Sequence, residues 1–139
     1  MSYLIDTNIL SELRKQERCH PNVAAWYASA RADELFLSVL VLGEVRKGAE
    51  RLKSRDPAQA RALERWLILA VDQFGDRLLH VDRWVAEEWG RIDARISVPP
   101  IDGLLAATAQ TRNFTLVTRN VKHIAQTGVS YLNPFEPLR

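Results

Sequence analysis

A chain of 139 residues is long enough to bury about two-thirds of its unfolded surface around one core, and it reads as one domain over 1–139. An apolar fraction of 47% beside 26% charged residues excludes the disordered and fibrous classes. A net charge of +2 permits a phosphate-bearing partner without arguing for one. The lone Cys19 excludes an internal disulfide; it sits in a polar RCHP turn with no metal-ligand spacing, as in a reducing cytoplasm. The longest apolar run, LFLSVLVLG at residues 35–43, is far short of the roughly 20 residues that span a bilayer. No basic leader opens the chain, so the expected location is the cytoplasm, with no membrane partner.

In chain order, YLI (3–5) is a short strand running into Asp6, Thr7 and Asn8, and NILSELRK reads as a helix behind them. Asp6 has two readings here: an N-cap accepting the unpaired N–H groups of that helix, or a functional carboxylate. The next strand is ELFLS (34–38), from which Ser38 caps VLVLGEVRKGAERL. Glu44 lies between apolar Leu42 and Val45, either as a surface partner of Lys47 or Arg51 or as a group aimed at a site. Asp56-Pro57 opens a helix with Leu63, Trp66, Leu67, Ala70 and Val71 on one face, stopped by Gly75. RLLHV (77–81) is the third strand, and Asp82 starts a helix carrying Val85, Trp89 and Ile92.

SVPP (97–100) breaks the chain before IDGLLAATAQTR, where Asp102 stands at the helix mouth and Gly103, Ala106 and Ala107 permit close packing on a sheet. TLVT (115–118) is followed by Arg119-Asn120, Lys122 and His123, and VSYL (129–132) is the last strand. The four Trp residues, 26, 66, 84 and 89, have helical spacing among apolar neighbours and serve packing or an interface rather than base stacking. Alternating strands and helices describe an α/β domain with a mainly parallel sheet. Such sheets gather functional groups outside the carboxyl ends of their strands. Asp6, Glu44 and Asp102 converge there, and mutually repelling carboxylates call for a hard divalent cation such as Mg²⁺ or Mn²⁺.

LIDTNIL, the S-x5-E of SVLVLGE running on into VRKGAERL, the IDGLLAATAQ helix, LVTRN and GVSYLNPF together resemble the PIN-domain toxin ribonucleases of the VapC and FitB type. The resemblance spans essentially the whole chain. It implies a three-layer α/β/α fold with a central, mainly parallel sheet. It also implies the toxin of a type II toxin–antitoxin pair, a Mg²⁺-dependent endoribonuclease (Mn²⁺ substituting) that acts as a homodimer and is blocked by a cognate antitoxin. Carried over by position, the metal ligands are Asp6, Glu44 and Asp102, with Asn120 as the fourth catalytic position. Asn120 stands where family members carry Asp or Asn, and His123 replaces an Asp that many of them have.

Thr7, Asn8 and Thr118 are expected to hydrogen-bond the ligands, and Arg112, Arg119 and Lys122 to steer the phosphate backbone of RNA. His123 stays outside the catalytic set. A haloacid-dehalogenase-like phosphatase would need a second Asp where Asn8 stands, and a receiver domain would carry its Asp after a middle strand of the sequence. A degenerate PIN domain that binds RNA or protein without cutting is the remaining alternative.

Overall fold

The computed structural model describes residues 1–137. Five strands, β1 (Tyr3–Ile5), β2 (Leu35–Ser38), β3 (Leu78–Leu79), β4 (Thr115–Val117) and β5 (Tyr131–Leu132), form one sheet in the order β3-β2-β1-β4-β5. Every pairing is parallel, with Leu4 level with Phe36 on one side and with Leu116 on the other. The strands are shorter than the apolar runs suggest. His80 and Val81, for example, lie beyond the end of β3, and both are exposed.

Seven α-helices connect these strands among the described residues: α1 (Thr7–Leu13), α2 (Pro21–Ser29), α3 (Val39–Leu52), α4 (Pro57–Phe74), α5 (Arg83–Arg95), α6 (Pro100–Arg112) and α7 (Val121–Ala125). From β1 the chain steps to β2 and β3 on one side, then returns past β1 to β4 and β5 on the other. Right-handed crossovers taken in opposite directions put their helices on opposite faces. Helices α1 to α4 therefore cover one face and α5 to α7 the other, giving the three layers expected. Helices α3 and α4 pack as a pair, and so do α5 and α6.

The core follows from the apolar periodicity. Leu4, Ile5, Leu37, Leu116 and Val117 of the central strands are buried, with Ile9, Val41 and Leu105 packed among them. In α4 the buried stripe is Ala60, Leu63, Leu67 and Ala70, whereas Val71, expected on that face, is 48% exposed. Val71 stands one residue, about 100° of helix, beyond Ala70, which turns it past the edge of the contact. Trp26 is buried, but Trp84 is 60% exposed and lies under the Arg83 guanidinium rather than in a core.

Helix α2 is an element the RCHP reading leaves out. His20 caps it by accepting the Asn22 N–H on Nδ1, and Pro21 occupies the first turn, where its missing N–H costs nothing. Glu12 anchors the same corner from α1, accepting from the His20 N–H and the Lys15 ammonium, both at 2.9 Å. Those two donors, the Lys15 hydrogen bond foremost, hold its carboxyl below the usual Glu range. The resulting stabilisation is present above the ordinary Glu pKa and is lost as pH falls through the lowered one.

Gly103 sets the approach of α6 to α5. A Cβ there would stand 3.1 Å from Trp89 Cδ1 and 3.3 Å from Val98 Cγ2, so a larger side chain must displace the Trp89 ring or Val98. Gly103→Val is expected to cost about 2 kcal/mol in chemical denaturation, in the range for overpacked cores. A variant as stable as the wild type would show that this contact yields freely.

Candidate active site

Strand β1 sits at the point where the chain's path reverses, with β2 on one side and β4 on the other. Open parallel sheets form their binding crevice at such a point, outside the strand ends. Three junctions meet there: Asp6-Thr7-Asn8 after β1, Ser38 leading into α3 after β2, and Thr118-Arg119-Asn120 after β4. The backbone draws the first and third together, the Asp6 N–H donating to the Val117 carbonyl at 2.9 Å.

Asp6 is the centre of the polar network and is only 3% exposed. Its Oδ1 accepts the Thr7 N–H at 2.7 Å, so it does cap α1. Its Oδ2 accepts the buried Thr118 hydroxyl at 2.7 Å and the Asn8 amide at 3.3 Å. The two readings of Asp6 coexist, because a carboxylate has lone pairs to spare after capping. Burial pushes its pKa up from the ordinary value; the Thr118 and Thr7 hydrogen bonds pull the other way, and the charges of Asp102 and Glu44 add to the rise.

Glu44 is half-buried on α3 and accepts the Thr7 hydroxyl at 2.5 Å. Lys47 and Arg51 do not pair with it: among the described residues neither Asp6 nor Glu44 has an ion-pair partner. Asp102 is buried in the first turn of α6, and its Oδ2 lies 3.1 Å from Nδ1 of His123 on α7. Thr118 Oγ1 also accepts the Asn120 N–H at 3.0 Å, and Asn8 Oδ1 accepts the Arg119 N–H at 3.2 Å. Thr7, Asn8 and Thr118 thus hydrogen-bond the carboxylates of Asp6 and Glu44 and tie them to the loops. The side chain of Asn120 is exposed at the start of α7 and makes no capping bond.

The basic residues separate. Arg119 stands beside this network, its guanidinium 4.2 Å from the centroid of Phe135, and Lys122 is exposed on α7. Arg112 does not belong with them. It ends α6, ten residues and therefore about 15 Å along the helix from Asp102. The chain enters β4 just beyond it, so Arg112 sits at the amino edge of the sheet, 3.9 Å from Asp82. Adjacency in sequence to TLVTRN is misleading here because β4 intervenes. Arg112→Ala should leave RNA cleavage unchanged while Arg119→Ala raises KM several-fold, compared in one assay; equal losses would contradict this placement.

His123 is the residue that sequence reasoning set aside and the structure brings in. Its spacing from Asn120 was the available signal: three residues on a helix put both on one face. The donors offered by Asp6, Glu44 and Asp102 are all oxygen, and buried Asp6 feels two carboxylate neighbours and, among the described residues, no counter-charge. That chemistry fits a hard divalent cation. Among the described residues no three acidic, His or Cys groups stand close enough to make a finished cage, so water or a bound phosphate must complete any coordination shell.

A groove of about 340 Å³ borders Glu44, lined by Leu40, Gly43, Lys47 and Ile101. A larger one, about 520 Å³, lies between α1, α2 and α4 against Leu10, Cys19, Tyr27 and Trp66 and carries no carboxylate. Of these two hollows, the smaller is the one that borders a carboxylate of the cluster, Glu44.

The family model of the PIN domain matches residues 3–128. The chain belongs to the PIN-domain family. VapC ribonuclease Y4jK of Sinorhizobium fredii is 30% identical over 142 residues, covering 96% of this chain and 98% of that protein. Toxin FitB of Neisseria gonorrhoeae is 30% identical over 141 residues, covering 95% and 97%. The crystal structure of FitAcB from Neisseria gonorrhoeae superposes with a TM-score of 0.85 at 27% identity, covering 96% of this chain and 98% of that one. This PIN domain is thus of the VapC and FitB type. Among its described helices none is long and apolar enough to cross a membrane.

Proposed function

We propose that this PIN domain is the toxin of a type II toxin–antitoxin pair and a Mg²⁺- or Mn²⁺-dependent endoribonuclease. The observation that carries the reading is the buried Asp6 carboxylate, near the charges of Glu44 and Asp102 and without a cationic partner among the described residues, at the switch point of a parallel sheet. Names among its relatives, a VapC ribonuclease and a FitB toxin, support the activity, and the FitAcB structure supports a cognate antitoxin as partner. The groove between α1, α2 and α4 has an apolar floor of Leu10, Leu13, Trp66 and Phe74 with Arg14, Gln16 and Gln73 among its lining, a surface of the kind an amphipathic partner segment covers. A homodimer is part of the same reading.

Asp6, Glu44 and Asp102 would hold the cation, which when bound supplies Lewis-acid polarisation of the scissile phosphoryl group and of the attacking water. The protein's own part is orientation and charge. Thr118 and the Thr7 N–H fix both oxygens of Asp6, and the Thr7 hydroxyl fixes Glu44. Asn8 ties the Arg119 backbone to the same cluster, leaving the Arg119 side chain and Lys122 to meet phosphates along the strand. Exposed Asn120 borders the crevice as a neutral donor.

Incubation of the purified chain with a structured RNA tests this directly. Cleavage should appear with Mg²⁺ or Mn²⁺, stop in EDTA, and fall more than about a hundredfold in Asp102→Asn, whose fold and antitoxin binding persist. Binding of RNA without cutting, with either metal, would select a degenerate PIN domain instead.

A further inference from the structure

The contact between His123 and Asp102 admits a second interpretation besides a hydrogen bond. Two ligand atoms on adjacent corners of an octahedral shell, each about 2.1 Å from the ion, lie about 3.0 Å apart. Nδ1 of His123 and Oδ2 of Asp102 are 3.1 Å apart. Asp102 is largely shielded, its side chain 12% exposed, whereas His123 is 48% exposed. The two are carried by α6 and α7, which pack against each other, so the pair is held by the fold rather than by chance of one loop.

We propose that His123 is a nitrogen ligand of the catalytic cation, its Nδ1 and the Asp102 Oδ2 forming one edge of the coordination shell. The inference rests on the nuclease reading above. Without a cation, Nδ1 and Asp102 Oδ2 share a hydrogen bond whose direction the ring tautomer sets; to ligate, the ring would carry its proton on Nε2 so that Nδ1 presents a lone pair. An imidazole among carboxylates shifts preference away from Mg²⁺, which takes oxygen, toward Mn²⁺ and later first-row ions. Asn120, beside it and neutral, adds no charge to favour Mg²⁺. This PIN domain should therefore be a Mn²⁺-preferring member, with the remaining positions filled by Asp6, Glu44, water and the scissile phosphate.

The test uses the full chain loaded with Mn²⁺, pulsed electron paramagnetic resonance to detect a directly bound ¹⁴N, and calorimetric titration for affinity. A nitrogen coupling is expected in the wild type and is lost in His123→Gln. His123→Asp is expected to lower the ratio of Mn²⁺ to Mg²⁺ affinity about tenfold. Mn²⁺ bound without nitrogen coupling would overturn the assignment of His123 and leave the three-carboxylate site standing. A coupling that persists in His123→Gln would do the same, because His20 or His80 would then be its source. Failure of the wild type to bind Mn²⁺ at all would overturn this inference together with the metal-dependent reading on which it rests.

Discussion

Asp6→Asn is expected to abolish RNA cleavage, by more than about a hundredfold, and at the same time to raise the melting temperature of the metal-free chain at neutral pH. The two effects have one cause. Asp6 is buried, and its ionised form is disfavoured first by that burial and then by the neighbouring charges of Asp102 and Glu44. An amide of the same shape keeps an oxygen for the Thr7 N–H and removes the charge. An acid whose folded pKa is raised contributes most below its unfolded pKa and loses that contribution as pH climbs through the folded value. In EDTA the stability gap between variant and wild type should thus be widest at neutral pH and close as pH falls. A variant less stable than the wild type at pH 7 in EDTA would mean that the hydrogen bonds of Asp6 outweigh its desolvation. The carboxylate would then be structural, whatever happened to cleavage.

How much of this was legible in the sequence depends on the kind of signal. The apolar runs and the caps Ser38, Asp56 and Asp82 mark their elements because capping is local chemistry, and each side chain does accept a helix-start N–H. The parallel order was readable as alternation, and with it the meeting of Asp6 and Thr118 at the ends of neighbouring strands. Helix α2 was hidden because its cap is a histidine acting through a ring nitrogen, outside the usual set of capping residues. Arg112 was misplaced for a topological reason: nearness in sequence says nothing once a strand lies between two residues. For His123 the sequence offers only the spacing from Asn120; that its ring reaches Asp102 depends on α7 docking on α6, which no local pattern encodes. Glu44 was ambiguous on α3, and only the Thr7 hydroxyl, 37 residues away in the chain, decides which way it faces.

Thr118 joins the stability of the strand end to the site, and Thr118→Val should show it. The residue is fully buried; its hydroxyl donates to Asp6 Oδ2 at 2.7 Å and accepts the Asn120 N–H at 3.0 Å. Valine keeps the volume and the β-branch but strips a buried carboxylate of its shortest side-chain hydrogen bond. A hydrogen bond to a charged group contributes about 1.5 to 3 kcal/mol, and leaving the Asn120 N–H unpaired adds to the loss. The expected cost is about 3 kcal/mol, or a fall in melting temperature on the order of 10 °C for a chain of this size. Cleavage should also drop, since Oδ2 of Asp6 would be free to rotate away from the crevice. Thr118→Ser restores the hydroxyl and should recover most of both losses. In the double variant with Asp6→Asn the penalties should not add, because the charge that Thr118 serves is already gone. Full additivity in denaturation would show that Thr118 acts through packing alone and that its hydroxyl has no part in holding the carboxylate.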